Sequence, residues 1–294
     1  YIKRVKTSGI NITPNIRVVK DKGAMALVDG DDGMGHLVMH RGTEIAIEKA
    51  AELGVCWGGS RHGNHAGPAA LYAKMPMRHD MIGIYIAVGS ANHLPPWGGT
   101  ELLLSTNPIA VAVPAAEEPP IVLDMATTVA AYGKVKTAAQ RGEQMPVGWM
   151  MDKFGNALTD PTRAAEGFLL PIGGAKGYGL ALMFGLLAGT LNGAAFGREV
   201  VDFNADSRSP TNTGQMVAAV SIEAFMDVEE FTRKVDAVIR SMPASPTLPV
   251  VANVRVPGAR SHMIRVDREQ NGIPIHPGLE ETLAKLSRKL GPKD

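Results

Sequence analysis

Seven consecutive residues, Arg61-His62-Gly63-Asn64-His65-Ala66-Gly67, place two histidines three positions apart, between a strand-like segment and a helix-like one. Ligand sites of α/β proteins lie at such junctions, and an imidazole there can carry a proton near neutral pH. The run lacks a Cys or Glu at ligand spacing, so no metal is expected. The plain alternative is a loop whose histidines cap a helix or face water.

A second candidate is Gly173-Gly174-Ala175-Lys176-Gly177-Tyr178-Gly179, ahead of an apolar helix. Glycines permit close backbone approach, helix N–H groups attract anions, and Lys176 adds a positive charge. The pattern suits a phosphate or carboxylate, although Lys-Gly-Tyr is not the order of a P-loop. Tight helix packing would account for the glycines equally well. Gly30-Asp31-Asp32-Gly33-Met34-Gly35 follows a strand and opens a helix, but Val38 stands where a dinucleotide fingerprint wants a third glycine or alanine. It reads as a hairpin exit turn. Asp124 ends the strand-like Ile121–Asp124 and could cap a helix, hold a ribose hydroxyl or face an imidazolium. His36 and His40 lie one helical turn apart without an intervening Glu, and read as ordinary helix surface. Cys56, in an apolar strand, reads as packed.

These residues must be positioned by alternating strands and helices. A hairpin is expected over 16–29 with its turn at Asp21-Lys22-Gly23, then a helix from about Met34 to Leu53 with Gly54 as its C-cap. Val55–Trp57 predicts a short strand ending in a Gly58-Gly59-Ser60 loop, and 66–78 a helix. Ile82, Ile84 and Ile86 alternate with Gly83, Tyr85 and Ala87, which marks a strand over 82–88. Further strands are expected at 109–113, 121–124 and 216–222, and helices at 127–141 and from Asp227, with Glu230 completing its capping box, to about Met242. Residues 142–161 predict a long loop, Pro243–Pro249 a linker, and 277–290 a last helix. The order implies an α/β or α+β layered fold whose sheet is not purely parallel.

The 294 residues suffice for a sizeable core. A net charge of +1 and 5% aromatic content give no electrostatic or stacking basis for a nucleic-acid or anionic-membrane partner. Between Lys176 and Arg198 no charge occurs, a length that could cross a bilayer. Six glycines and Asn192 interrupt it, so a helix buried on all sides is expected and no membrane partner. One cysteine cannot form an intrachain disulfide, which points to a reducing compartment, the cytoplasm.

Taken together and in order, eight segments resemble the malate/L-lactate dehydrogenase family, which also includes ureidoglycolate dehydrogenases. They are Arg61–Gly67, Pro96-Trp97-Gly98-Gly99, Ser105-Thr106-Asn107-Pro108, Val122–Thr127, Gly133-Lys134, Leu170-Pro171-x-Gly173-Gly174-x-Lys176-Gly177, Gly193–Gly197 and Val256-Pro257-Gly258. The resemblance implies a non-Rossmann α/β fold with a largely antiparallel sheet flanked by helices, in a homodimer. It implies hydride transfer between NAD or NADP and a 2-oxo acid or its 2-hydroxy counterpart. On the matching positions, His65 is the catalytic proton carrier, while Ser90, Leu123, Asp124, Met125, Lys176, Gly258 and Arg260 are cofactor contacts. Residues 60–242 would form the cofactor-binding core of one interwoven unit, with 1–59 and 243–294 as a smaller flanking part.

Three departures stand out. Ala259 replaces the acid of the family's usual Pro-Gly-Glu, and His62-Gly63 replaces Asn-Ser. The family's Ser-His-Gly segment and its nearby arginine lie upstream of the position matching Tyr1, and a longer gene product carrying them is expected. The alternative is a nucleotide- or small-acid-binding protein without turnover.

Overall fold

The computed structural model describes residues 1–291. Helix α1 (Ile2–Lys6) leads into strands β1 (Arg17–Lys22) and β2 (Met25–Gly33), the expected hairpin. Its turn is carried by Gly23 in the left-handed region at φ 52°. Helix α2 (Gly35–Leu53) ends on Gly54, also left-handed, whose N–H returns to the Ala50 carbonyl. It crosses back to β3 (Val55–Gly63), parallel to β2. A crossover of this length is what a parallel pair requires.

Helix α3 (Ala69–Lys74) then precedes β4 (Met81–Ala87), the short pair β5 (Asn92–Leu94) and β6 (Leu104–Ser105), β7 (Ile109–Val113) and β8 (Ile121–Met125). Helix α4 (Tyr132–Arg141) is followed by a small sheet of β9 (Met150–Asp152), β10 (Ala157–Leu158) and β11 (Gly167–Leu169), then α5 (Ala175–Ala188), β12 (Thr213–Ser221), α6 (Val228–Ser241), α7 (Ala259–Asn271) and α8 (Pro277–Leu290). The main sheet has seven strands in the order β1-β2-β3-β12-β4-β7-β8. Apart from β2–β3, its neighbours run antiparallel. This is the non-Rossmann, largely antiparallel α/β fold. Residue 60 falls within β3, so the sheet carries no break there.

One face of the sheet is covered by α2 and α3 through small side chains, with Ala46, Ala50, Ala73, Ala110, Ala112 and Ala219 fully buried. Small residues bring the layers close together. A Cβ on Gly83 would lie 2.1 Å from the Ala73 carbonyl oxygen, so β4 can pass under α3 only as glycine. The other face packs Ile86, Val88, Met216 and Ala218 against the α5 layer.

Several elements differ from expectation. Residues 58–60 continue β3 to Gly63, because β12 pairs with them residue for residue. The 66–78 helix is only α3 plus a 3₁₀ turn at Pro76–His79, and the 127–141 helix begins at Tyr132. The loop over 142–161 contains β9 and β10. The charge-free helix α5 buries one stripe only, Gly177, Ala181, Gly185 and Ala188, and leaves Leu180, Met183 and Leu186 exposed. Asp227 caps α6 by accepting the Glu230 N–H at 2.8 Å, as expected, whereas the Glu230 carboxylate pairs with Lys234 at 2.6 Å. Among the described residues no helix is long and apolar enough to cross a membrane.

Candidate active site and coenzyme cleft

The His-rich run divides its labour. Asn64, fully buried, donates to the carbonyls of Asp32 (2.8 Å) and Gly33 (3.1 Å) and accepts from Thr211 through Oδ1 and from Gln215 through its carbonyl. It locks the exit of β3. His62 turns to the opposite side, its Nδ1 3.0 Å from the buried Asp29 carboxylate, which Arg61 also meets at 3.2 Å. Burial acts to raise the Asp29 pKa, but the bonds from His62, the Asp31 N–H and Arg61 outweigh it, so Asp29 stays below the usual carboxylate range. His62 is thereby held with Arg61 in a hydrogen-bonded cluster on Asp29.

His65, half-buried, accepts the Gly67 N–H at Nδ1 (3.4 Å) and is hydrogen-bonded there to the Tyr1 hydroxyl. Its ring lies 5.8 Å from that of Phe203, and the Tyr1 ring lies 5.2 Å from Phe203 and 5.8 Å from His36. Burial, and then the neighbouring His36, lower the His65 pKa below its ordinary value. The lowering favours the neutral ring. Nδ1 accepts from Gly67 when the neutral ring carries its proton on Nε2, whereas to take a proton at Nε2 the ring must carry it on Nδ1. The Tyr1 oxygen can accept as well as donate, so it also supports the ring when Nδ1 is protonated.

Sequence reading did not reveal Tyr1, Arg4, His36 or Phe203. The buried Arg4 guanidinium donates to the carbonyls of Gly9 (3.2 Å), Ser209 (2.6 Å) and Asp206, and lies 4.8 Å over the Phe203 ring. It pins the 202–209 loop that presses Phe203 onto His65. A basic residue in a basic N-terminal stretch gives no local signal of this. His36 is not ordinary helix surface. Its Nδ1 is buried without a partner, and the Gly67 backbone lies so close that a Cβ there would be 2.5 Å from its Nε2. His40 does face solvent, paired with Glu44 at 3.4 Å. Cys56 is fully buried, which pushes its thiol up to about 11.

The second feature is a cleft of about 420 Å³ between α3, the end of β8 and the start of α7. Leu123, Asp124 and Gly258 line it, together with Lys74, Ser261, His262 and Arg265. The Val122 N–H donates to the Pro257 carbonyl at 3.1 Å, which covers the free edge of β8. Gly258 holds φ 90°, and a Cβ on it would lie 3.0 Å from the Val122 backbone. A cleft of this size, with a strand-end carboxylate and cationic side chains, fits the nucleotide part of a nicotinamide coenzyme. Asp124 Oδ2 accepts the Ala70 N–H at 3.0 Å. It therefore caps α3, not the helix that follows it in sequence.

The remaining expected contacts are dispersed. Met125 ends β8 beside the cleft. Arg260 is exposed on the first turn of α7 and is not among the lining residues, because the expected 258–260 turn is a helix start with Gly258 as N-cap. Ser90 accepts the Phe203 N–H at 2.9 Å, which ties it to the aromatic cluster around His65. Lys176 lies in the first turn of α5, exposed, on a loop joined to Thr127 by the Ile172 N–H (3.0 Å). Among the described residues no three metal-ligating side chains are grouped.

The class this fold defines is the non-Rossmann NAD(P)-dependent dehydrogenases that act on hydroxy acids. The chain belongs to the malate/L-lactate dehydrogenase family, whose sequence profile matches residues 1–284. It is 36% identical over 290 residues to the malate/(S)-sulfolactate dehydrogenase of Methanothermus fervidus, covering 99% of this chain and 83% of the relative. Its fold superposes on the sulfolactate dehydrogenase of Methanocaldococcus jannaschii with a TM-score of 0.89 at 37% identity, covering 99% of this chain and 83% of that one. Relatives named for NAD(+) and for NADP(+) both occur.

Proposed function

We propose that the chain oxidises and reduces at C2 of a malate-, lactate- or ureidoglycolate-like 2-hydroxy/2-oxo acid, with His65 as proton carrier. The observation that carries this is the Asp124–Ala70 hydrogen bond. It ties the coenzyme cleft to the segment that begins at His65, five residues earlier, and five residues span at most about 18 Å. The proton carrier and the nucleotide wall are thus built on one short stretch of chain. When bound, the nicotinamide ring supplies or accepts the hydride. His65 Nε2 then holds the proton that leaves or joins the substrate oxygen, while the Tyr1 oxygen accepts from Nδ1–H and Phe203 packs against the ring.

In the same reading Leu123, Asp124, Met125 and Gly258 form the nucleotide wall. Ser90, beside Phe203, and Lys176 and Arg260, which do not line the cleft, are further coenzyme contacts, the two cations toward phosphate. The unit works as a homodimer. The exposed Leu180, Met183 and Leu186 of α5, and Leu279, Leu283 and Leu290 of α8, supply apolar surface for a partner. One interwoven unit is supported by the sheet, which draws strands from both sides of residue 60. The lone buried Cys56 suits the cytoplasm. Scattering-detected size exclusion tests the dimer. For the reaction, NAD(P)H absorbance is followed across a panel of 2-oxo acids. Coenzyme binding with no turnover on any acid would favour the binding-only alternative and overturn this reading.

A further inference from the structure

The cleft's polar residues are arranged asymmetrically. Lys74 is the last residue of α3, and His262 and Arg265, three positions apart on α7, share one helix face across from it, with Ser261 beside them. Against these stands one acid, Asp124. Everything else that faces the cleft is apolar side chain or glycine backbone. Counting formal charges, Lys74 and Arg265 contribute two and Asp124 removes one, so the wall is net positive before His262 is considered. Arg265 is only loosely held: its Nε is 3.7 Å from Glu269, with both side chains well exposed. Such a pair is worth little and leaves the guanidinium free to turn toward a ligand.

Asp124 is shared between the fold and the cleft. A strand-end carboxylate can accept from the hydroxyl of an unmodified ribose. Here Oδ2 is already occupied by the Ala70 N–H. Oδ1 stays open and the acid keeps its single charge, but Lys74 and Arg265 outnumber it, and His262 and Ser261 line the same cleft. Lys176, the cation expected to neutralise backbone phosphate, is in the first turn of α5 and outside the lining of this cleft.

We propose that the cleft is built for a ribose bearing a 2′-phosphate, with Lys74 and Arg265 as its principal partners, and that the chain therefore prefers NADP(H) to NAD(H). The proposal rests on the coenzyme reading of the cleft given above. A 2′-phosphate adds close to two negative charges and three acceptor oxygens, which this set of donors matches.

The test is calorimetric binding to the full chain, without substrate, of two ligand pairs: NADPH against NADH, and adenosine 2′,5′-bisphosphate against 5′-AMP. The phosphorylated member of each pair is expected to bind about ten-fold more tightly or better, the scale of one charge-assisted hydrogen bond to phosphate. Lys74→Gln and Arg265→Gln are expected to weaken the phosphorylated member more than the other, bringing each ratio toward one, with unchanged circular dichroism and melting temperature. Equal affinities, tighter NADH binding, or equal weakening of both members by the substitutions overturn the proposal. The last result would place the cations on the pyrophosphate. If none of the four ligands binds, the coenzyme reading of the cleft fails and the preference falls with it. If NADH and NADPH bind equally, only the preference fails.

Discussion

Tyr1 and His65, sixty-four positions apart, meet through a hydrogen bond at Nδ1 of the imidazole. That contact leaves Nε2 as the nitrogen available to a substrate oxygen. His65→Ala should lower kcat by about 10²–10⁴, the usual contribution of one acid–base group. NAD(P)H binding, read by fluorescence, should persist. A variant that loses binding but keeps kcat would place His65 in the coenzyme site instead. Tyr1→Phe should produce a smaller loss, because it removes the partner of Nδ1 but leaves the proton carrier itself in place.

Both directions of the reaction should report the lowered His65 pKa in pH profiles. Its ordinary value is 6.5, and burial followed by His36 holds it lower. Hydroxy-acid oxidation needs the neutral ring, so kcat/KM should stay level as pH falls to 6.5 and decline only below it. Reduction needs the imidazolium, so its kcat/KM should already be falling as pH rises through that lowered pKa. His36→Gln removes the neighbouring imidazole that helps to lower the His65 pKa and should move both limbs to higher pH. Limbs that do not move would show that the two rings are uncoupled.

Asp124 performs a structural task whatever it does for a ligand. Asp124→Ala removes the acceptor for the Ala70 N–H. By analogy with helix caps this should cost about 1 kcal/mol, a drop of roughly 2–4 °C in melting temperature for a chain of this size. Asp124→Asn retains an oxygen and should lose less. Equal melting temperatures for all three proteins would deny the cap.

Two glycines on α5 give opposite forecasts. A Cβ on Gly177 would lie 2.2 Å from the Ile172 carbonyl oxygen, whereas at Gly179 nothing lies within 4 Å. Gly177→Ala should destabilise by about 1–3 kcal/mol through overpacking. Gly179→Ala should stabilise by up to about 1 kcal/mol, as glycine is the poorer residue in a helix interior. Thermal melts of the pair check both. A stabilised Gly177→Ala would mean that the loop before α5 can yield.

Legibility in the sequence followed the range of the interactions. Alternation at Ile82, Ile84 and Ile86, the Gly54 C-cap and the Asp227 N-cap are local devices, and the structure reproduces them. Residues 58–63 read as loop because glycine and serine have little preference for strands, and only pairing with β12 holds them extended. Helix α7 was invisible because it buries no residue and its polar and charged residues far outnumber its apolar ones. Helix α5 has an apolar composition but no amphipathic pattern, so the sequence could not distinguish its buried stripe from its exposed face. Leu123, Asp124 and Gly258, singled out by ordered motifs, share one cleft. Arg4 was not, since its carbonyl partner at Ser209 lies 205 positions away. His36 was misjudged because its burial comes from Gly67, a contact that helical spacing does not encode.

The cleft takes its walls from three segments, around residues 70–77, 120–124 and 257–265. The last is joined to the body through the exposed 243–253 stretch. A nascent chain halfway through synthesis would lack one wall, so the cleft is complete only in a chain that has passed residue 265. On the coenzyme reading proposed above, nucleotide occupancy is a brake on nicking. A ligand spanning Asp124 and Arg265 ties down what a protease cutting between 243 and 253 would release, and a cut protein would shed its coenzyme before it lost its sheet.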